Sequence, residues 1–196
     1  MRKNIQTLAV LMALSAIGPA AFSQESPKEL RKNEISVGVG GPSFWAILDG
    51  IECGPRSSDG VIEPLYGKKY GDKHYTPSYS VSYNYYTKKW LSFNTRLSYS
   101  GSYRYVYTGT DSHVDYLEVT PCVTLMEMVR FHYMNKEKVR LYSSIGAGVS
   151  LAVDSLLPSL QFTFFGVSFG KKVFGFAEMG MGTEYISYLG GIGYRF

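Results

Sequence analysis

Side chains along a β-strand alternate between two faces. A strand set between two media therefore shows apolar residues on one parity and small or polar residues on the other. From Asn33 onward this chain repeats that pattern. Ile35, Val37 and Val39 oppose Ser36, Gly38 and Gly40, and within 76–87 Tyr79, Val81, Tyr83 and Tyr85 oppose Ser78, Ser80, Ser82 and Asn84. After the polar turn Thr87-Lys88-Lys89, Leu91, Phe93, Thr95, Leu97 and Tyr99 oppose Ser92, Asn94, Arg96, Ser98 and Ser100. Tyr103, Tyr105 and Tyr107 continue the aromatic parity. The stretch 115–133 sets Leu117, Val119, Val123, Leu125, Val129, Phe131 and Tyr133 against Glu118, Thr120, Thr124, Arg130 and His132. Pro121 and Glu127 fall on its apolar parity; proline lacks a ladder donor, so a bulge or irregular register is expected in this strand.

The fifth run is the clearest. Val139, Leu141, Ile145, Ala147, Val149, Leu151 and Val153 face one way, and Arg140, Tyr142, Ser144, Gly146, Gly148 and Ser150 the other. The segment 154–158 is expected to end it. The run 160–169 is apolar on both parities, so its phase stays open, and Gly170-Lys171-Lys172 is another tight basic turn. Stretches 173–182 and 186–196 complete eight strands. The long connection is 42–75, whose many Gly and Asp residues argue against a regular element throughout.

Alternation alone does not say which face is inside. A soluble, lipocalin-like barrel would turn its apolar face inward to a small apolar ligand. Three features point the apolar face outward. The opposite parity is Ser, Gly, Asn and a few charges, which suits a narrow interior. Aromatic residues gather near predicted strand ends: Trp90, Tyr133, Phe174 and Tyr194 at one, Tyr79, Tyr103, Tyr105 and Tyr188 at the other. Every second connection is very short, as in outer-membrane barrels with short periplasmic turns and long outer loops. The fold class expected is therefore all-β, a closed antiparallel up-and-down transmembrane barrel of about eight strands.

The chain's ends bear on location. Residues 1–23 read as a cleaved signal peptide: Arg2 and Lys3, a short apolar run from Ile5 to Ile17, the breaker Gly18-Pro19, and small residues before Gln24. Residues 24–196 are then the outer-membrane barrel domain. The last strand finishes with Ile192, Tyr194 and Phe196 on one parity. This ending resembles the C-terminal aromatic insertion signal of bacterial outer-membrane proteins, and the alternating chain resembles the small eight-stranded OmpA/OmpX-like barrels. That resemblance implies a cell outer-membrane location, contact with outer-membrane lipids and engagement by the barrel-assembly machinery during insertion.

Composition fits this reading: 17 Tyr, 11 Phe and 21 Gly with 18% charged residues favour strands over helices. A net charge of +4 on dispersed basic residues makes no case for nucleic acid. Cys53 and Cys122 would permit one bridge in an exported chain. Arg96, Glu118, Arg130, Arg140 and Glu178 fall on the inward parity, where isolated charge is costly. Arg96 is expected to partner Glu178 near mid-height, with Glu118 nearer the outer end. Phe44, Trp45, Tyr66 and Tyr70 in the long loop are the candidates for contact with an unidentified surface ligand. At the seam between first and last strands, Gly38 and Gly40 are expected to meet Gly191 and Gly193.

His74 and His113 stand near Asp72, Asp111, Ser112 and Asp115, so a lipid-modifying outer-membrane enzyme is a third reading. Asp and Ser are ordinary turn formers, however, and no family active-site motif matches. The expectation is a non-enzymatic chain with no catalytic, cofactor-binding or metal residues and an envelope-structural or surface-interaction role.

Overall fold

The computed structural model describes residues 31–52, 68–70, 72–108, 113–152 and 155–196. In chain order they form β1 (Asn33–Gly40), α1 (Phe44–Glu52), β2 (Lys68–Tyr70), β3 (His74–Tyr75), β4 (Ser78–Lys88) and β5 (Leu91–Thr108). Then follow β6 (His113–Asn135), β7 (Val139–Ala152), β8 (Ser155–Gly170), β9 (Val173–Gly182) and β10 (Ser187–Arg195). Eight long strands, β1 and β4 to β10, pair antiparallel in order, and β10 returns to β1, closing an up-and-down barrel. Closure gives every wall strand two neighbours, as the backbone donors and acceptors of a free-standing sheet require. The proposed leader, 1–23, lies outside the described residues.

At the seam Gly38 lies opposite Gly191, while Gly40 faces Leu189 and Gly193 faces Ser36, so only one of the expected glycine pairs forms. A Cβ on Gly38 would sit 2.9 Å from Cζ of Phe176, whose ring occupies the space the glycines leave.

The irregular register expected in β6 is present, though away from its proline. Pro121 lies in unbroken β6–β5 register opposite Gly101. Gly101 gives its carbonyl to Thr76 on the far side of β5, so Pro121's missing donor would point away from β5. The β7 ladder starts only at Cys122, so no pairing is lost there. The register shifts of β6 fall instead at Asp115 and at Tyr133. Pro158 was expected in a strand-ending segment but lies inside β8 opposite Val149, beyond the last β9 partner at Gln161. The open phase of β8 has a physical cause: an extra residue at Phe164 shifts the register, so Phe164 and Phe165 both face out. Ser159, Gln161 and Thr163 point inward below the bulge, and Ser168 does so above it.

The long connection is not without regular structure. Ser43 Oγ accepts from the N–H of Ala46 at 3.2 Å and caps the nine-residue helix α1, seating Ala46 against the barrel. Short β2 and β3 both add to the free edge of β5.

Candidate functional site

Outside, the wall is apolar. Val37, Val81, Leu97, Ile145, Phe162, Met179 and Ile192 are all exposed on the outward parity. An apolar groove of about 660 Å³ runs over this outer surface between Val37, Val39, Tyr79, Val81, Leu97 and Ile192, with Gly190 on its floor. Inside, most side chains are polar and sealed from solvent, with Met126, Met128, Phe174 and Leu189 buried among them.

Glu178 on β9 is the hub of the interior. Arg96 of β5 donates from Nη2 to both its carboxylate oxygens at 2.9 Å, and Arg130 of β6 donates to Oε1 at 2.8 Å. Tyr142 of β7 donates to Oε1 at 2.8 Å, and Tyr185, between β9 and β10, donates to Oε2 at 3.1 Å. Arg96 also reaches Glu184 at 3.4 Å. Each strand supplies its member on the inward parity, so closing the barrel converges groups from remote parts of the chain on one carboxylate. Two cations and two hydroxyls around a fully buried carboxylate satisfy it far better than one partner could.

A second cluster lies nearer the short turns. Glu34 of β1 accepts from Arg140 at 2.7 Å, from Arg195 at 2.5 Å and from the Asn84 amide at 3.3 Å. Arg195 also donates to Ser168 Oγ at 2.7 Å and to the carbonyls of Gly170 and Lys171. The guanidinium of Arg195 lies 4.1 Å from the ring centroid of Phe174, that of Arg140 4.6 Å from Tyr86 and that of Arg130 4.7 Å from Tyr142. Phe174 is therefore an interior residue, not the girdle residue its place near a strand end suggested. Towards the opposite end the lining changes to hydroxyls, with Thr124, Ser150 and Ser159 linked at 2.6 Å and Ser100 bonded to Ser43 beneath α1 at 2.8 Å.

Of the inward charges read from the sequence, Arg96, Arg130, Arg140 and Glu178 lie in these buried clusters. Glu118 lies apart, paired with Arg104 at 2.5 Å where β5 and β6 run on past the barrel. Glu34, Glu184 and Arg195 were not singled out. Glu34 and Arg195 continue the inward parities of β1 and β10 by one step, a signal that stops at the strand ends. Glu184 lies outside any strand and carries no such mark.

Phe44 and Trp45 open α1, edge to face at 5.6 Å, with Phe44 exposed. Tyr70 pairs in β2 opposite Val106, and Tyr66 lies outside the described residues. Ile192, Tyr194 and Phe196 all face outward on the last strand, with the rings of Tyr194 and Phe196 stacked at 6.3 Å. Cys122 is a buried free thiol, and Cys53 lies outside the described residues.

Among the described residues the catalytic alternative gains no constellation. His74 stacks on Tyr103 at 5.2 Å, while Asp111 and Ser112 lie outside the described residues. His132 does bond Ser92 Oγ at 2.9 Å, but inside the wall between Tyr86 and Tyr142. Among the described residues its buried Nδ1 has no hydrogen-bond partner, so the orienting third member of a nucleophile–base couple is not found there. No protein-family model matches the chain, and no curated protein matches it in sequence.

Proposed function

We propose that this chain is an integral β-barrel of a bacterial outer membrane, non-enzymatic, with an envelope-structural or surface-interaction role. The observation that carries the reading is the polarity of the wall, apolar outside and charged inside. Each large apolar side chain left in water forgoes roughly 1.5–3 kcal/mol of burial, and a continuous apolar belt is an aggregation hazard unless something covers it. Lipid covers it all round. The belt's dimensions agree: from Tyr188 to Phe196 the outward row of β10 covers about 27 Å of strand, or about 20 Å of height at a barrel's usual tilt. A soluble ligand-binding barrel shares the strand number and connectivity, but it needs an apolar lumen; here the lumen holds Arg96, Arg130 and Glu178.

The surface-interaction part of the proposal rests on the β5–β6 hairpin. These strands have 18 and 23 residues against 11 and 14 for the flanking β4 and β7, so the hairpin runs on beyond its neighbours. One flank of the extension carries β2 and β3, while on the other flank the edge of β6 away from β5 joins the β7 ladder only from Cys122 onward. Such an edge suits an extended partner strand.

The test is membrane fractionation followed by gel mobility of unheated and boiled detergent extracts. Recovery in the outer membrane with a heat-dependent mobility shift is expected. Recovery in buffer without detergent would overturn the membrane reading.

A further inference from the structure

The short-turn rim of the barrel carries a collar of lysines. Lys88 and Lys89 lie in the β4–β5 turn, Lys136 and Lys138 in the β6–β7 turn, Lys171 and Lys172 in the β8–β9 turn, and all are exposed. Among the described residues of these three turns the acidic member is Glu137, which pairs with Lys171 at 3.3 Å.

The turns are tied to one another. Asn135 Nδ2 donates to the Lys89 carbonyl at 2.7 Å, the Gly170 N–H to the Lys138 carbonyl at 2.8 Å, and the Arg195 N–H to the Lys172 carbonyl at 2.8 Å. At the same rim the Tyr86 N–H donates to the Lys32 carbonyl at 2.8 Å. The backbone of the collar is thus fixed while its lysine side chains are exposed. Directly beside it on the outer wall are Trp90, Tyr133, Phe169, Tyr194 and Phe196, all exposed, and Lys88 Nζ lies 5.7 Å from the Trp90 ring centroid. A ring of aromatics followed within a few residues by a ring of ammonium groups is the order of a membrane's own boundary, hydrocarbon and then headgroup.

We propose that this collar selects anionic glycerophospholipids, its lysines holding headgroup phosphates of the leaflet that meets the short turns. The inference rests on the membrane reading. A lipid phosphate fits better than a soluble polyanion because the charge is spread over turns around the rim at the aromatic level instead of forming one patch. Juxtamembrane lysines near an anionic surface each favour it by roughly 5-fold, and the effect falls off with added salt.

The test is flotation of the full chain with phosphatidylcholine vesicles containing phosphatidylglycerol. Spin-labelled lipids then give the association of phosphatidylglycerol with the protein relative to phosphatidylcholine. We expect a several-fold preference that declines towards parity in high salt and in a variant with all six lysines changed to Gln, and that survives when all six are changed to Arg. If the Gln variant fails the heat-shift test for folding, the salt titration and the Arg variant decide. Parity in the wild-type protein, or an undiminished preference in a folded Gln variant, overturns the proposal while leaving the membrane reading intact. Parity together with tight binding to heparin assigns the collar to a soluble polyanion instead. Failure to float overturns both readings.

Discussion

Replacing Glu178 with alanine would leave Arg96 and Arg130 buried without their shared carboxylate, the most damaging way to break an ion cluster. The expected loss is about 3–5 kcal/mol, read as a lower urea midpoint for the heat-shiftable band in detergent. Tyr185→Phe, which removes one hydroxyl donor, should cost about 1 kcal/mol. Equal midpoints for the two variants would mean that the carboxylate does not organise the lumen. Glu127 is the contrasting case. It faces outward, accepts from Thr95 Oγ1 at 2.7 Å and lies between Thr95 and Ala147 in the outer wall. In a bilayer an outward carboxylate at this depth is unfavourable, so Glu127→Leu should stabilise the inserted barrel by about 1 kcal/mol. A lower midpoint in lipid vesicles would count against a lipid-facing wall at this position.

At the scale of elements, Pro121 guides the prediction. Residues of its parity in β6 turn their N–H groups away from β5, so a proline at Val119 removes a donor only from the edge that faces away from β5. Val119→Pro should therefore leave the heat shift and urea midpoint unchanged, whereas Thr120→Pro breaks a bond to β5 and should cost at least about 1 kcal/mol. Capture of an extended partner on this edge should fail with Val119→Pro. Unimpaired capture would move the interaction to another surface.

The elements also show what the chain made legible. Period-two alternation is local, so seven of the wall strands could be phased before any pairing was known. The bulge at Phe164 could not be seen this way: both residues at the break are phenylalanines facing out, which erases the polar parity on which phasing depends. Helix α1 was obscured for a different reason. The Gly and Asp residues of 42–75 dominated the composition of the connection, although Ser43 before an apolar run was a local capping signal. The salt clusters were half legible. Parity marked which charges point inward, but Glu34 meets Arg140 across 106 residues, a partnership that only barrel closure specifies.

For the whole molecule, the question is whether the closed wall encloses a path. An eight-stranded barrel is just wide enough to be filled by side chains, and this lumen is crossed at two levels, by the groups around Glu178 and by those around Glu34. Each level joins opposite walls: Arg96 on β5 reaches Glu178 on β9, and Arg140 on β7 reaches Glu34 on β1. Beyond them, towards the longer connections, Ser43 and Ala46 are buried as α1 packs against β5 and β6. An ion entering would have to break paired charges at both levels in turn, each loss costing several kcal/mol. The wild-type chain inserted in a planar bilayer should therefore show no sustained conductance. Removing the Glu178 level alone, by changing Arg96, Arg130 and Glu178 together to Ser, should still leave it silent, because Glu34 with Arg140 and Arg195 closes the short-turn end. Steady current from the wild-type chain would contradict a sealed lumen. Current appearing in the triple variant alone would assign the seal to the Glu178 level and reduce the Glu34 cluster to a clasp between first and last strands.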